Sequence, residues 1–191
     1  MIDIFSRCAV HSGVHATELG ELAKDFMSEA VRLNGGTAPH AIHADRGTSM
    51  TSRPVPALLP DLAILKSHSR PNVSNDNPYS EAQFKTLKYC PAFPGTFGSL
   101  QDARAFCRVF FTYYNHEHRH SGIGMHTPYS VHTGTAPAIQ EKRQAVLNAA
   151  CAANQRRFTR RPKAPKMPGT AWISKPVTEP DITPHPSKEA A

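Results

Sequence analysis

Long apolar runs are missing from this sequence, and nothing in it approaches the roughly 18 consecutive apolar residues of a membrane-spanning helix. The opening residues, MIDIFSRCAV, also lack the basic start and apolar centre of a signal peptide, so the chain reads as cytoplasmic. Cysteine is sparse. Cys8, Cys90, Cys107 and Cys151 stand far apart with no CxxC pair, which speaks against a zinc ribbon or a disulfide framework and leaves small buried or inert thiols. No internal repeat is present. Acidic residues are the minority: 15 Asp and Glu against 22 Lys and Arg give a formal net charge of +7. A field of that sign favours an anionic partner such as nucleic acid, although charge alone fits an ordinary basic protein equally well.

What is present suffices for a core. With 191 residues, 39% of them hydrophobic, the expectation is one domain of ordinary size plus an extension. The chain starts abruptly in strand-like residues, with no cap or turn before Ile2 and Ile4. From Thr17 onward, Leu19, Leu22, Ala23, Phe26, Met27, Ala30 and Leu33 recur at helical spacing, and Asn34-Gly35-Gly36 ends that helix. HAIHAD then reads as a short buried strand and residues 63–66 as another, with the proline-broken SRPVPALLP between them. Strand, helix and strand in that order predict an α/β layered fold.

SHSRPNVSNDNPYS, rich in turn formers, reads as a mobile surface loop. Asn77 suits an N-cap and Pro78 the first helical position, which places Glu81, Lys85 and Lys88 on one helix face. Ser99 with Asp102 three residues later predicts a second capped helix, whose stripe of Leu100, Ala103, Phe106, Cys107, Phe110, Phe111 and Tyr114 is core. From Pro137 an alanine-rich helix is expected to about Asn154. Beyond it Arg156, Arg157, Arg160, Arg161, Lys163 and Lys166 form a cationic run with no acidic residue among them, fit for phosphate contacts or for a solvated tail. The prolines between Pro162 and Pro186 predict that the last thirty residues lack a packed core. The expected division is 1–136 for the core domain and 137–191 for a basic, helical and Pro-rich extension.

Three segments together carry a resemblance: HADRGTSMTS, SRPNVSNDNPYSEAQFKTLKY and FFTYYNHEHRHSGIGMHTPYSVH. They resemble the integrase core of bacterial insertion-sequence transposases, relatives of retroviral integrases, and RRFTRRPKAPKMPGTAWISKP extends the likeness to about residue 175. The resemblance implies an RNase H-like fold and an Asp, Asp, Glu triad holding two Mg²⁺ or Mn²⁺ ions, with thirty-five residues between the second and third members. Asp45 matches the second Asp and Glu81 the Glu. A carboxylate at a strand end is tolerable when a metal compensates its charge, and two hard cations suit in-line phosphodiester chemistry. Lys85 and Lys88 are then placed for phosphates beside the scissile bond, or Lys85 pairs with Glu81 along the helix. Arg46 and Arg119 are further DNA-facing candidates, with Arg156, Arg157, Arg160 and Arg161. The alternation of His116, His118 and His120 does not have zinc-site spacing, and His120 reads as structural or DNA-facing.

The sequence departs from the family pattern at the front. There, the strand bearing the first metal-binding Asp is expected upstream of DIFSR, so the expectation is an integrase core lacking its first strand, with lowered stability or a tendency to associate. Asp3 and Asp76 are weak substitutes for that carboxylate. Two readings follow. One is a transposase, or the C-terminal part of one, performing DNA transposition and integration as a homo-oligomer on insertion-sequence ends and target DNA. The other is a catalytically inactive DNA-binding remnant that interferes with intact transposase.

Overall fold

A computed structural model describes residues 1–70, 76–167 and 169–173. The expected loop over residues 67–80 therefore lies partly, and the Pro-rich end from residue 174 wholly, outside the described residues.

The N-terminal segment folds back on itself rather than running as a strand. Ile2 and Ala9 form a single antiparallel bridge, and Arg7 adopts a left-handed φ of 64° at the turn. Asp3 sets that turn: its carboxylate accepts the backbone N–H groups of Phe5 and Ser6 at 3.3 and 3.0 Å. Helix α1 spans Gly20–Leu33, starting three residues later than the apolar spacing predicts. Its end is a run of glycine conformations, since Gly35 and Gly36 both have positive φ (68° and 79°), which side chains disfavour.

Strand β1, Ala41–Ala44, pairs in parallel with β2, Leu65–His68, in the register Ala41 to Leu65 through Ala44 to His68. β2 begins two residues later than expected. The cause is a tight reversal in which Ala63 takes a φ of 54° and the Ile64 N–H bonds to the Leu59 carbonyl at 2.9 Å, so pairing starts only at Leu65. Between the strands lie a short helix α2, Thr48–Thr51, and α3, Pro54–Asp61. The proline-broken reading of that segment is corrected. Pro54 and Pro56 occupy the first helical turn, where backbone N–H groups have no intrahelical acceptor, and Pro60 stands near the end. Val55 and Leu59, four apart, are fully buried and hold the helix against Met27, Ile42 and Ile64.

Helix α4 spans Pro78–Lys88 and α5 Leu100–His116. The cap of α5 is the expected one, with Ser99 Oγ accepting the Asp102 N–H at 3.1 Å. Phe110 and Tyr114 are buried with Ala9, and Phe106, Phe111 and Leu87 pack beside them, so the aromatic stripe is core. Asn115 fixes this contact, exchanging hydrogen bonds with both backbone groups of Ala9 at 3.0 Å. After α5 come a 3-10 turn at Ser121–Ile123, the short α6 at Pro128–His132 and α7 at Ala136–Ala153. Cys8 is buried as expected, whereas Cys90, Cys107 and Cys151 are only half-buried.

The start of the Pro-rich end is not free of the core. Gln144 accepts the Ala164 N–H and donates to the Pro162 carbonyl, Gln140 donates to the Pro165 carbonyl, and Met167 packs on Ile123, Val131 and Ala136. Side chains of α7 replace strand pairing for a segment whose prolines cannot donate. No helix among the described residues is long and apolar enough to cross a membrane.

Candidate active site and nucleic-acid interface

Asp45 follows β1 directly and is exposed. Its Oδ1 accepts Ser69 Oγ at 2.8 Å, from the residue after β2, and Asn77 Nδ2 at 3.3 Å. Parallel pairing of β1 with β2 is what delivers Ser69, because both strands end on the same side of the sheet. Asn77 is the residue before α4, and its carbonyl accepts the Glu81 N–H at 3.2 Å. The second carboxylate candidate thus stands in the first turn of the helix that Asn77 ties to Asp45. Glu81 is exposed and forms no ion pair with Lys85 among the described residues. Both hydrogen bonds to Asp45 use Oδ1, which leaves Oδ2 available to a ligand.

The other nearby carboxylates are engaged. Asp76 is buried and receives Arg70 in a bidentate ion pair, with contacts of 2.8 and 3.0 Å, plus the Arg70 backbone N–H at 2.7 Å. The Arg70 side chain first, then its backbone N–H, hold the Asp76 carboxyl down at about 2. Asp3 bonds Ser6 and lies 3.5 Å from His132. Burial pushes the Asp3 carboxyl up, but the Ser6 and Phe5 hydrogen bonds outweigh it and leave it below its usual value. Among the described residues no group of three or more His, Cys, Asp and Glu side chains is placed to hold a metal. Asp45 and Glu81 are hard oxygen donors, the ligand type that Mg²⁺ and Mn²⁺ take. A third carboxylate for a bridged pair is not among the described residues.

The cationic candidates lie on several elements. Arg46 is exposed beside Asp45, and Lys85 and Lys88 are exposed one and two turns beyond Glu81 on α4. Arg119 is exposed after α5. Arg156 and Arg157 sit in a 3-10 turn beyond α7, and Arg160 and Arg161 follow, all four exposed. The three alternating histidines do not form one cluster: His118 stacks on Tyr114 and meets His120 edge to face at 6.0 Å, His120 Nδ1 accepts the Gly122 N–H at 3.1 Å, and His116 packs on Tyr129 instead.

Sequence reasoning missed two contributors. Ser69 had no signal, because only the strand register brings it to Asp45. Asn77 was read as a helix cap, yet its side chain makes no capping bond and turns to Asp45 instead. A third residue, Arg143, holds the 120–126 loop through the Gly124 and Met125 carbonyls.

Residues 62–128 match the integrase core domain family. That segment runs from just after α3 through β2, α4 and α5 to the first residue of α6. It contains Glu81, Lys85, Lys88 and Arg119, while Asp45, Arg46 and the tail arginines lie outside it. No curated protein matches the chain. Among solved structures, the fold is similar to that of the catalytic core domain of BIV integrase. The TM-score is 0.51 and the identity 18%, over 69% of this chain and 84% of that one. At this identity the likeness speaks for the architecture alone. Over residues 62–128 the chain matches the integrase core domain, and its α/β fold is of the RNase H-like type seen in an integrase catalytic core.

Proposed function

We propose that this chain acts on DNA in transposition or integration, with Asp45 and Glu81 as the metal-holding carboxylates of phosphodiester cleavage and strand transfer. The observation that carries the reading is the link from Asp45 through Asn77 to the first turn of α4, inside a fold of integrase type. A Mg²⁺ or Mn²⁺ ion held there would lower the pKa of an attacking hydroxyl and stabilise a leaving oxygen. The protein's own part is positional. Ser69 and Asn77 fix one oxygen of Asp45, helix α4 presents Glu81, and Arg46, Lys85 and Lys88 supply positive charge for phosphates flanking the reacting bond. Arg119, Arg156, Arg157, Arg160 and Arg161 extend the contact along the DNA backbone, with insertion-sequence ends and target DNA as partners and a homo-oligomer as the assembly. The core domain is taken as 1–136 and the extension as 137–191.

A second reading is favoured by the engagement of Asp3 and Asp76, which leaves Asp45 and Glu81 as the free carboxylates at this edge among the described residues. In it the chain binds DNA without cutting it and interferes with intact transposase. Nicking of a labelled duplex in Mn²⁺ by the 191-residue chain decides between them. Cleavage abolished by both Asp45→Asn and Glu81→Gln supports the enzyme; salt-sensitive binding with no cleavage supports the second reading. Cleavage unaffected by either substitution removes the proposed site.

A further inference from the structure

Away from the Asp45 and Glu81 edge, a groove of about 600 Å³ runs between the extended segment 9–15 and helix α5. None of the residues lining it is acidic. On the α5 wall Arg104, Arg108, Thr112 and His116 recur at every fourth position, so they form one inclined row about 18 Å long. All four are exposed. Arg104 is oriented by its Nε, which donates to the Val14 carbonyl at 2.9 Å and leaves the other guanidinium N–H groups free. Arg108 has no carboxylate partner among the described residues.

The facing wall adds donors of a second kind. Ser12, Gly13, Val14 and His15 are in no helix or strand and form the wall that faces α5. His11 and His15 bring imidazole nitrogens to the same wall. Two guanidinium groups, that of Arg104 held in place by Val14, together with imidazole ring nitrogens are chemistry that recognises phosphate oxygens. They are spread along the groove instead of converging on one point, so the fit is to a linear polyanion and not to a single small phosphate. A second copy of this chain is a poor occupant, because its net charge of +7 repels the same cations.

We propose that this groove is a second track for the DNA sugar-phosphate backbone, separate from the Asp45 and Glu81 edge, which engages DNA without reading its sequence. The proposal rests on the DNA reading above. It assigns positioning to Arg104 and Arg108, two residues outside the motifs that carry the family resemblance.

The test is a salt series of binding to a labelled duplex, using the full chain and three groups of variants. Arg104→Gln/Arg108→Gln is expected to lower the slope of log affinity against log salt by about 1.8, two phosphate contacts at about 0.9 each. Arg108→Gln alone, which keeps the Arg104 to Val14 contact, is expected to lower it by about 0.9. Arg104→Lys/Arg108→Lys should restore most of the slope, which a merely structural role of the arginines would not produce. The tail variant Arg156→Gln/Arg157→Gln/Arg160→Gln/Arg161→Gln is the comparison, with circular dichroism confirming that each protein is folded. Unchanged slopes in both groove variants, beside a reduced slope in the tail variant, overturn the groove and leave the DNA reading standing. A wild-type chain with no salt-dependent DNA binding overturns both.

Discussion

Asn77 Nδ2 donates to Asp45 Oδ1 at 3.3 Å, so the end of β1 is tied to the start of α4 by one side-chain bond. Ser69 shares the same oxygen at 2.8 Å. Together they choose the rotamer of Asp45 and leave Oδ2 directed elsewhere. Partners that orient a metal-binding carboxylate in this way commonly carry 10–100-fold of its metal affinity, by order of magnitude. Asn77→Ala is therefore expected to weaken Mn²⁺ binding about tenfold. Its secondary structure should be unchanged, because Asn77 makes no capping bond. Electron paramagnetic resonance titration of free Mn²⁺ reads this directly, and an unaltered affinity would remove Asn77 from the site.

Leu59 is 2% exposed and packs with Met27, Ile42, Val55 and Ile64, where α1, α3 and the two strands meet. Leu59→Ala removes its burial and leaves a cavity, for a loss of about 3 kcal/mol. Urea unfolding should show a lower midpoint at an unchanged slope. Since α3 is only eight residues long and Pro60 removes one of its hydrogen bonds, its stability comes mainly from this packing, and the helix should loosen with the substitution.

Gly124 has a φ of 67°, and a Cβ built there would stand 2.6 Å from the Lys166 carbonyl oxygen. Both facts oppose a side chain. Gly124→Ala is expected to cost at least about 1 kcal/mol from the left-handed backbone alone. It should also lift residues 162–167 from α7, which limited trypsin digestion would report as faster cleavage after Arg160, Lys163 and Lys166.

The Arg70 and Asp76 pair gives a pH dependence of known sign. The Asp76 carboxyl is lowered from 3.8 to about 2, chiefly by the Arg70 side chain and then by its backbone N–H. A carboxyl depressed on folding contributes stability that is fully present above the unfolded value. That stability is lost as pH falls through the folded value, so the window is about pH 4 to 2. The Arg70 amide proton, 2.7 Å from Asp76 at its heavy atom, should titrate in NMR with a midpoint near 2. A midpoint near 3.8 would contradict the pairing.

Much of the local structure was legible. The stripes of α1 and α5 and the Ser99 cap of α5 are written in side-chain spacing, because a helix repeats every 3.6 residues and local spacing decides which face is apolar. Asp45 and Glu81 became candidates only through the family resemblance of the motifs around them. α3 was less legible: proline opposes a helix locally, and only burial of Val55 and Leu59 across chain-distant partners outweighs it.

Composition and spacing by themselves determined the α/β class, the helix stripes and the basic balance, and the motif resemblance singled out two carboxylates. Tertiary structure alone decided what those carboxylates touch. Parallel pairing of β1 with β2 brings Ser69 to Asp45, an asparagine suited to capping turns to Asp45, and Asp3 and Asp76 are occupied by Ser6 and Arg70. The physical reason is that periodicity is a property of neighbours along the chain. A side chain's hydrogen-bond partner depends on register and approach between distant segments, where several partners of similar strength compete and packing selects one.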